Sequence, residues 1–256
     1  MPEYAPGTPS WVDLSTEDID ASVAFYGELF GWTTTPGVAE FGGYRNFLDA
    51  GAPVAGVFPI EAGSQPIGWR SYVAVDDSEA AAAGVTEAGG TTVITPMAIG
   101  ELGTMGVYID AIGAQFGTWQ PGKHGGAGKV NEPVSLTWNE LTCTSDKAPK
   151  AAEFYGAVFG WTAETADMGG MDYTTFKLDG RGVAGMIGIG DPSHAALPSF
   201  WNVYFAVEDC DATLEKAIEL GGSKIRSPTD IPIGRFAVVN DPHGAPFSVI
   251  ALSSAS

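Results

Sequence analysis

Apolar residues at Ile19, Val23, Tyr26 and Phe30 recur at spacings of four, three and four, the rhythm of one buried helix face. Thr16 and Asp18 stand before that run as N-cap candidates, and Gly31 ends it. Residues 10–14 upstream read as a short strand, and strand-like runs follow at 44–48 and 53–58. A second unit opens with a strand at 71–75. Its helix starts near Asp76, Asp77 and Ser78, is built on 80–83 and stops at Gly89 and Gly90. Strand candidates at 91–95, 105–109 and 114–119 complete it, the last after a turn at 110–113. Each unit therefore predicts a strand, a helix and about three strands. The helix can cover one face of a small, mostly antiparallel sheet, leaving the other face to line a concave surface.

The pattern then repeats at the level of residues. Phe25-Tyr26-Gly27, Phe30-Gly31-Trp32 and Thr33 recur 129 positions later as Phe154-Tyr155-Gly156, Phe159-Gly160-Trp161 and Thr162. Tyr44, Phe47, Gly51 and Val54-Ala55-Gly56 meet Tyr173, Phe176, Gly180 and Val183-Ala184-Gly185 at the same shift. Trp69, Tyr72, Ala74 and Val75 reappear as Trp201, Tyr204, Ala206 and Val207, and Asp110, Gly113 and Phe116 as Asp241, Gly244 and Phe247. The chain thus predicts two copies of one domain, 1–121 and 132–256, joined by a flexible glycine-rich linker at 122–131. The units fall at about 9–60, 69–121, 134–190 and 199–253. In the second copy Ser145 or Asp146 is the cap candidate for the helix, with Pro149 in its first turn.

Composition narrows the function classes. The 256 residues carry 12 Lys and Arg against 31 Asp and Glu, a net charge of −19. Nucleic acid and anionic membrane surfaces both require clustered positive charge, so neither is an expected partner. A hydrophobic fraction of 45% is ample for packed cores. No apolar run reaches membrane-spanning length, and the start lacks a signal-peptide pattern, so the expected compartment is the cytoplasm. Cys143 and Cys210 have no spacing partner for a disulfide framework or a metal knuckle.

The fourfold βαβββ pattern, the Phe-Tyr-x-x-x-Phe-Gly-Trp helix motif, the acidic strand exit into a helix ending in Gly-Gly, and the turn Asp241-Pro242-His243-Gly244 resemble the vicinal oxygen chelate superfamily. That superfamily includes glyoxalase I, extradiol dioxygenases and bleomycin-resistance proteins. The arrangement is most similar to its two-domain actinobacterial members, some of them assigned as hydroxylases in polyketide antibiotic pathways. The implied fold class is α+β, with four units forming two tandem domains with concave sheets.

The metalloenzymes of this superfamily hold a divalent metal through His, Glu or Gln on the opening strand of each unit and on its last strand. Carried over, those positions fall on Trp11, Arg70 and Gly117 in one copy, and on Trp138, Asn202 and Ser248 in the other. Indole, guanidinium and glycine are not ligands. Allowing two residues of slack admits only Asp13, Glu140 and Gln115. His124 lies in the linker, His194 in a loop and His243 at a turn tip. The expectation is a protein without a metal or other cofactor.

Residues i and i+2 share a strand face, so Trp11 points with Asp13, and Trp138 with Glu140. If that face is concave, Trp11, Asp13, Tyr72 and Trp119 line one cavity, and Trp138, Glu140, Tyr204 and Ser248 the other. The alternative is that both indoles fill a shrunken bowl as core, with the carboxylates solvated at its rim. Arg70 reads either as a surface cation or as a replacement for the metal's charge, binding an enolate or phenolate oxygen; Asn202 holds the equivalent place. Cys210 and His243 read as structural. Asp76-Asp77 and Glu208-Asp209 read as helix-start charges.

Three functions remain open. The first is a metal-independent enzyme for an aromatic or polyketide-like metabolite, with Asp13 or Glu140 as acid or base. The second is a binding protein that sequesters a drug or metabolite, and the third, by resemblance, is a glyoxalase-type lyase. A small organic molecule is the expected partner, and the chain is expected to be a monomer, or else a homodimer.

Overall fold

The structure, a computed structural model, describes residues 4–168, 172–191 and 196–253. The first half runs β1 (Pro9–Thr16), α1 (Ile19–Phe30), β2 (Thr33–Thr34), β3 (Arg45–Asp49), β4 (Ala52–Pro59), β5 (Gly68–Ala74), α2 (Ser78–Glu87), β6 (Thr91–Ile99), β7 (Gly103–Ile109) and β8 (Gln115–Pro121). The second repeats it as β9 (Leu136–Thr144), α3 (Ala148–Phe159), β10 (Thr162–Asp167), β11 (Asp172–Leu178), β12 (Arg181–Ile189), β13 (Phe200–Ala206), α4 (Cys210–Glu219), β14 (Ser223–Ile231), β15 (Gly234–Asn240) and β16 (Pro246–Leu252). Each half makes one eight-stranded mixed sheet, ordered β2-β3-β4-β1-β5-β8-β7-β6 and β10-β11-β12-β9-β13-β16-β15-β14. Two units fuse into one sheet through the antiparallel pairs β1/β5 and β9/β13. Within units, β1/β4, β5/β8, β9/β12 and β13/β16 run parallel.

Local chemistry sets the helix ends. Asp18 caps α1 by accepting from the Ala21 N–H, whereas Thr16 ends β1 and its hydroxyl accepts from the Asp18 N–H. Gly31 and Gly160 close α1 and α3 in the left-handed region, at φ 77° and 71°. The cap expected from Ser145 or Asp146 is absent. Lys147 holds the N-cap position of α3 without a side-chain bond, and Pro149 occupies the first turn, where its missing N–H removes one of the donors a cap would serve.

The helices lie at the seam between the halves, where α1 meets α4 and α2 meets α3. One core cluster joins Phe25, Tyr26, Phe30 and Trp32 to Phe205, Phe247 and Leu214, and the other joins Phe116 and Tyr108 to Phe154, Tyr155 and Trp161. The recurring motifs are the parts of this seam. Trp69 Nε1 donates to Tyr26 Oη (3.1 Å), which donates to Asp241 Oδ2 of the other half (3.2 Å). In the mirrored chain Trp201 Nε1 donates to Tyr155 Oη (2.7 Å), which donates to Asp110 Oδ2 (2.7 Å). Trp32 and Trp161 donate to the carbonyls of Val134 and Gly7, each just ahead of the opposite half's first strand. Asn139 also faces the seam, where Ser71 Oγ donates to its Oδ1 at 2.6 Å. With the helices at the seam, the opposite face of each sheet carries a separate aromatic set, Trp11, Tyr72 and Trp119 in one half and Trp138, Tyr204 and Phe236 in the other. Among the described residues no helix is long and apolar enough to cross a membrane.

Candidate functional site

Strand register assembles the first bowl. Asp13 lies opposite Arg70, Trp11 opposite Tyr72, and Tyr72 beside Gly117. Alternation then places Trp11, Asp13, Arg70, Tyr72, Gln115, Gly117 and Trp119 on one face. Asp13 is 4% exposed and Arg70 7%, so neither is solvated at a rim or lying on the surface. Arg70 Nη1 donates to Tyr72 Oη (3.2 Å) and Nη2 to Gln65 and Gln115 Oε1 (3.3 Å each). The Tyr72 hydroxyl in turn donates to the Asp13 carboxylate. Two buried atoms are left without partners, Asp13 Oδ1 and Arg70 Nε. Burial raises the Asp13 carboxyl to about 6 against the opposing pull of Arg70 and Tyr72.

The second bowl is built from the equivalent positions with different chemistry. Glu140 lies opposite Asn202, Trp138 opposite Tyr204, and Tyr204 beside Ser248. Tyr204 Oη donates to Glu140 Oε1 at 2.8 Å, Asn202 Nδ2 to Ser248 Oγ at 2.7 Å, and Trp138 Nε1 to Tyr173 Oη at 2.9 Å. The last bond repeats one in the first bowl, where Trp11 Nε1 donates to Tyr44 Oη at 2.9 Å. Burial raises the Glu140 carboxyl, opposed by the hydroxyls of Tyr204 and Tyr173 and by the charge of Arg226.

The two bowls differ most in their cover. The glycine-rich segment predicted to be flexible lies instead against the first bowl as a strap. Its Ala127 and Gly128 N–H groups donate to Ser10 and Pro53 carbonyls, and Tyr4 Oη donates to the Ala127 carbonyl. The His124 ring meets Trp11 edge-on at 4.5 Å and Trp119 at 5.5 Å, and its carbonyl accepts from Trp119 Nε1. His124, expected to lie apart from any site, therefore packs into the aromatic end of this bowl, and burial lowers its pKa. Trp11, Tyr72, Trp119 and Ala127 form a closed apolar cluster. In the second bowl Trp138 is only half-buried. His243 donates its backbone N–H to Asp241 in the seam turn, and Cys210, whose thiol burial pushes up to about 11, packs in the core. His194 lies outside the described residues.

The comparisons agree on the family. Residues 138–249 match the sequence profile of the Glyoxalase/Bleomycin resistance protein/Dioxygenase superfamily, and residues 10–43 match that of a bleomycin resistance protein-like N-terminal region. CFP32 of Mycobacterium tuberculosis, which carries a provisional glyoxylase name, is 41% identical over 97% of this chain and 96% of its own. The chain belongs to the glyoxalase/bleomycin resistance/dioxygenase superfamily. Anthracycline biosynthesis protein DnrV of Streptomyces peucetius is 39% identical, over 98% of this chain and 96% of its own. Among solved structures, the Mn(II)-bound glyoxalase of Novosphingobium aromaticivorans shares the fold at TM-score 0.66 and 18% identity, covering 96% of this chain and 82% of that one. The halotolerant catechol dioxygenase BphC does so at 0.64 and 14%, covering 96% and 87%.

The superfamily's divalent metal does not fit the donors present. A guanidinium, Arg70, stands opposite the first bowl's one carboxylate, and the second bowl's carboxylate already accepts tyrosine hydroxyls. Among the described residues no group of three His, Cys, Asp or Glu is placed to hold a metal ion. Sequence reasoning left Tyr44, Tyr173, Gln65 and Arg226 out of the bowls. For the two tyrosines a signal existed, since they occupy one register of the repeat.

Proposed function

We propose that this superfamily member is a metal-independent enzyme that moves a proton on an enolisable, aromatic or polyketide-like metabolite, with Asp13 as the acid–base group. The observation that carries the reading is the pair of partnerless buried atoms, Asp13 Oδ1 and Arg70 Nε, on one bowl floor. A carboxyl titrating near 6 can accept and return a proton at neutral pH. In the proposed step the Asp13 carboxylate takes a proton from the carbon beside a carbonyl. The C–H electron pair moves into the ring or chain as an enolate, and its oxygen is held by the Arg70 Nε–H. Return of the proton to a different carbon or to oxygen completes an isomerisation and restores the carboxylate. The anthracycline-pathway relative supports a polyketide-like substrate.

The test is solvent deuterium exchange into hydroxy-1-tetralone-type aryl ketones, which carry a C–H beside the carbonyl, followed by mass spectrometry with chelator-treated protein. The wild-type chain should accelerate exchange, while Asp13→Asn should lose at least about a hundredfold and still bind the ketone. Exchange that persists in Asp13→Asn, or that requires an added divalent metal, overturns the reading. The bleomycin-resistance match over residues 10–43 favours a second reading, sequestration without turnover, for which binding without exchange is the signature. The glyoxylase name of the mycobacterial relative motivates a control with methylglyoxal, thiol and Ni²⁺ or Zn²⁺, for which no turnover is expected.

A further inference from the structure

The duplicated halves can be compared as an internal control. In the first bowl the carboxylate of Asp13 faces a cation that the chain itself supplies, Arg70. At the matching cross-strand position in the second bowl, Glu140 faces Asn202. The framework is otherwise retained, with indole, tyrosine and carboxylate in the same order.

The hydrogen bonds of the second bowl run in one direction. Asn202 Nδ2 donates to Ser248 Oγ beside Tyr204, and Tyr204 Oη donates to Glu140 Oε1. A parallel run goes from Trp138 Nε1 to the Tyr173 hydroxyl and on to Glu140. Asn202 presents its NH₂ to Ser248, which leaves Oδ1 as the free end. Asn202 is 6% exposed and its Oδ1 has no partner; Glu140 is 9% exposed. Both ends are thus acceptors, side by side on one face, and Asn202 Oδ1 is left without a donor. Trp138, Tyr173, Tyr204 and Phe236 supply aromatic walls, whose π faces attract cations. The nearby cation, Arg226, is exposed, sits 4.8 Å from the Phe236 ring centre and makes no hydrogen bond to Glu140.

We propose that the second bowl is a separate binding site for an aromatic ammonium ligand, whose cationic nitrogen takes, between Glu140 and Asn202, the place that the Arg70 guanidinium holds in the first half. A net charge of −19 favours the approach of such a cation. The site does not depend on proton transfer at Asp13, and either can fail without the other.

Titration calorimetry of the full chain with tryptamine and with its neutral analogue tryptophol, at low and at 300 mM salt, tests this. Tryptamine is expected to bind one per chain, roughly tenfold or more tighter than tryptophol, and to weaken with salt. Glu140→Gln should weaken tryptamine about tenfold and leave tryptophol unchanged. Asn202→Arg, which installs the first half's own residue, should abolish the preference for the amine, and it carries the test if Glu140→Gln fails to fold. Asp13→Asn should leave tryptamine affinity within about twofold. Equal affinity for amine and alcohol, no measurable tryptamine binding, binding indifferent to both second-bowl variants, or binding lost in Asp13→Asn each overturns the proposal.

Discussion

Tyr155 Oη donates to Asp110 Oδ2 at 2.7 Å across the seam between the halves, while the same Asp110 holds the N–H groups of Ile112 and Ala114 through Oδ1. One tyrosine therefore ties the helix motif of one half to the Asp-x-x-Gly turn of the other. Tyr155→Phe leaves a buried carboxylate oxygen and the Trp201 indole N–H without partners, which costs about 2–3 kcal/mol. Tyr26→Phe breaks the longer 3.2 Å bond to Asp241 and should cost less. Urea unfolding of both variants checks the order, and a Tyr155→Phe loss below that of Tyr26→Phe would contradict it.

That seam explains which features were legible in the sequence. Period and caps revealed the four units because helix and strand rhythms are local, and the repeat exposed Phe-Tyr, Trp and Asp as recurring positions. Their task stayed hidden, since a bond from Tyr26 to Asp241 spans 215 residues. In the bowls, alternation correctly grouped Trp11 with Asp13 and Trp138 with Glu140. The burial of Arg70 was not legible, because it depends on Gln65 and Gln115 arriving from a loop and a different strand. His124 was misplaced for a related reason. Glycine-rich sequence signals freedom from side-chain clashes, and here that freedom lets a backbone lie tightly against Ser10 and Pro53.

The pH dependence of stability should carry the mark of Asp13. Its folded carboxyl, at about 6 rather than 3.8, binds a proton more tightly than in the unfolded chain. The contribution is therefore most favourable below the unfolded value and is lost as pH rises from about 4 to about 6. The loss is on the order of 3 kcal/mol. Asp13→Asn should remove this decline, so the stability difference between wild type and variant should move by that amount in the variant's favour between pH 4 and pH 8. Urea midpoints at pH 4 and pH 8 provide the measurement, and parallel curves for the two proteins would refute the assignment.

The strap should hold to the aromatic end of the first bowl through its backbone contacts. Gly126 sits at φ 107°, and a Cβ there would lie 2.6 Å from the Ser10 carbonyl, so Gly126→Ala strains the backbone and lifts the segment. Trypsin sites at Lys123 and Lys129 report on this directly. Cleavage should accelerate by roughly tenfold or more in the variant, because local opening exposes the chain to protease. Equal cleavage rates in both proteins would mean that the strap is not held by this contact.

Glycines at two other positions should respond in opposite directions. Gly56 has no room for a side chain, since a Cβ would lie 1.8 Å from Tyr44 Oη and 3.1 Å from Asp13 Cβ. Gly56→Ala must push Tyr44 aside, break its bond from Trp11 and disturb the bowl floor, with an expected loss of about 1–3 kcal/mol. Gly84 lies inside α2 with nothing within 4 Å of its would-be Cβ. There alanine fits without contact and lowers the backbone entropy of the unfolded chain, so Gly84→Ala should gain about 0.5–1 kcal/mol. The two variants add the same methyl group, so their difference in urea unfolding isolates the close packing of the Trp11–Tyr44 pair. Shifts of equal sign would show that Tyr44 moves away freely and that the bowl is not built around that hydrogen bond.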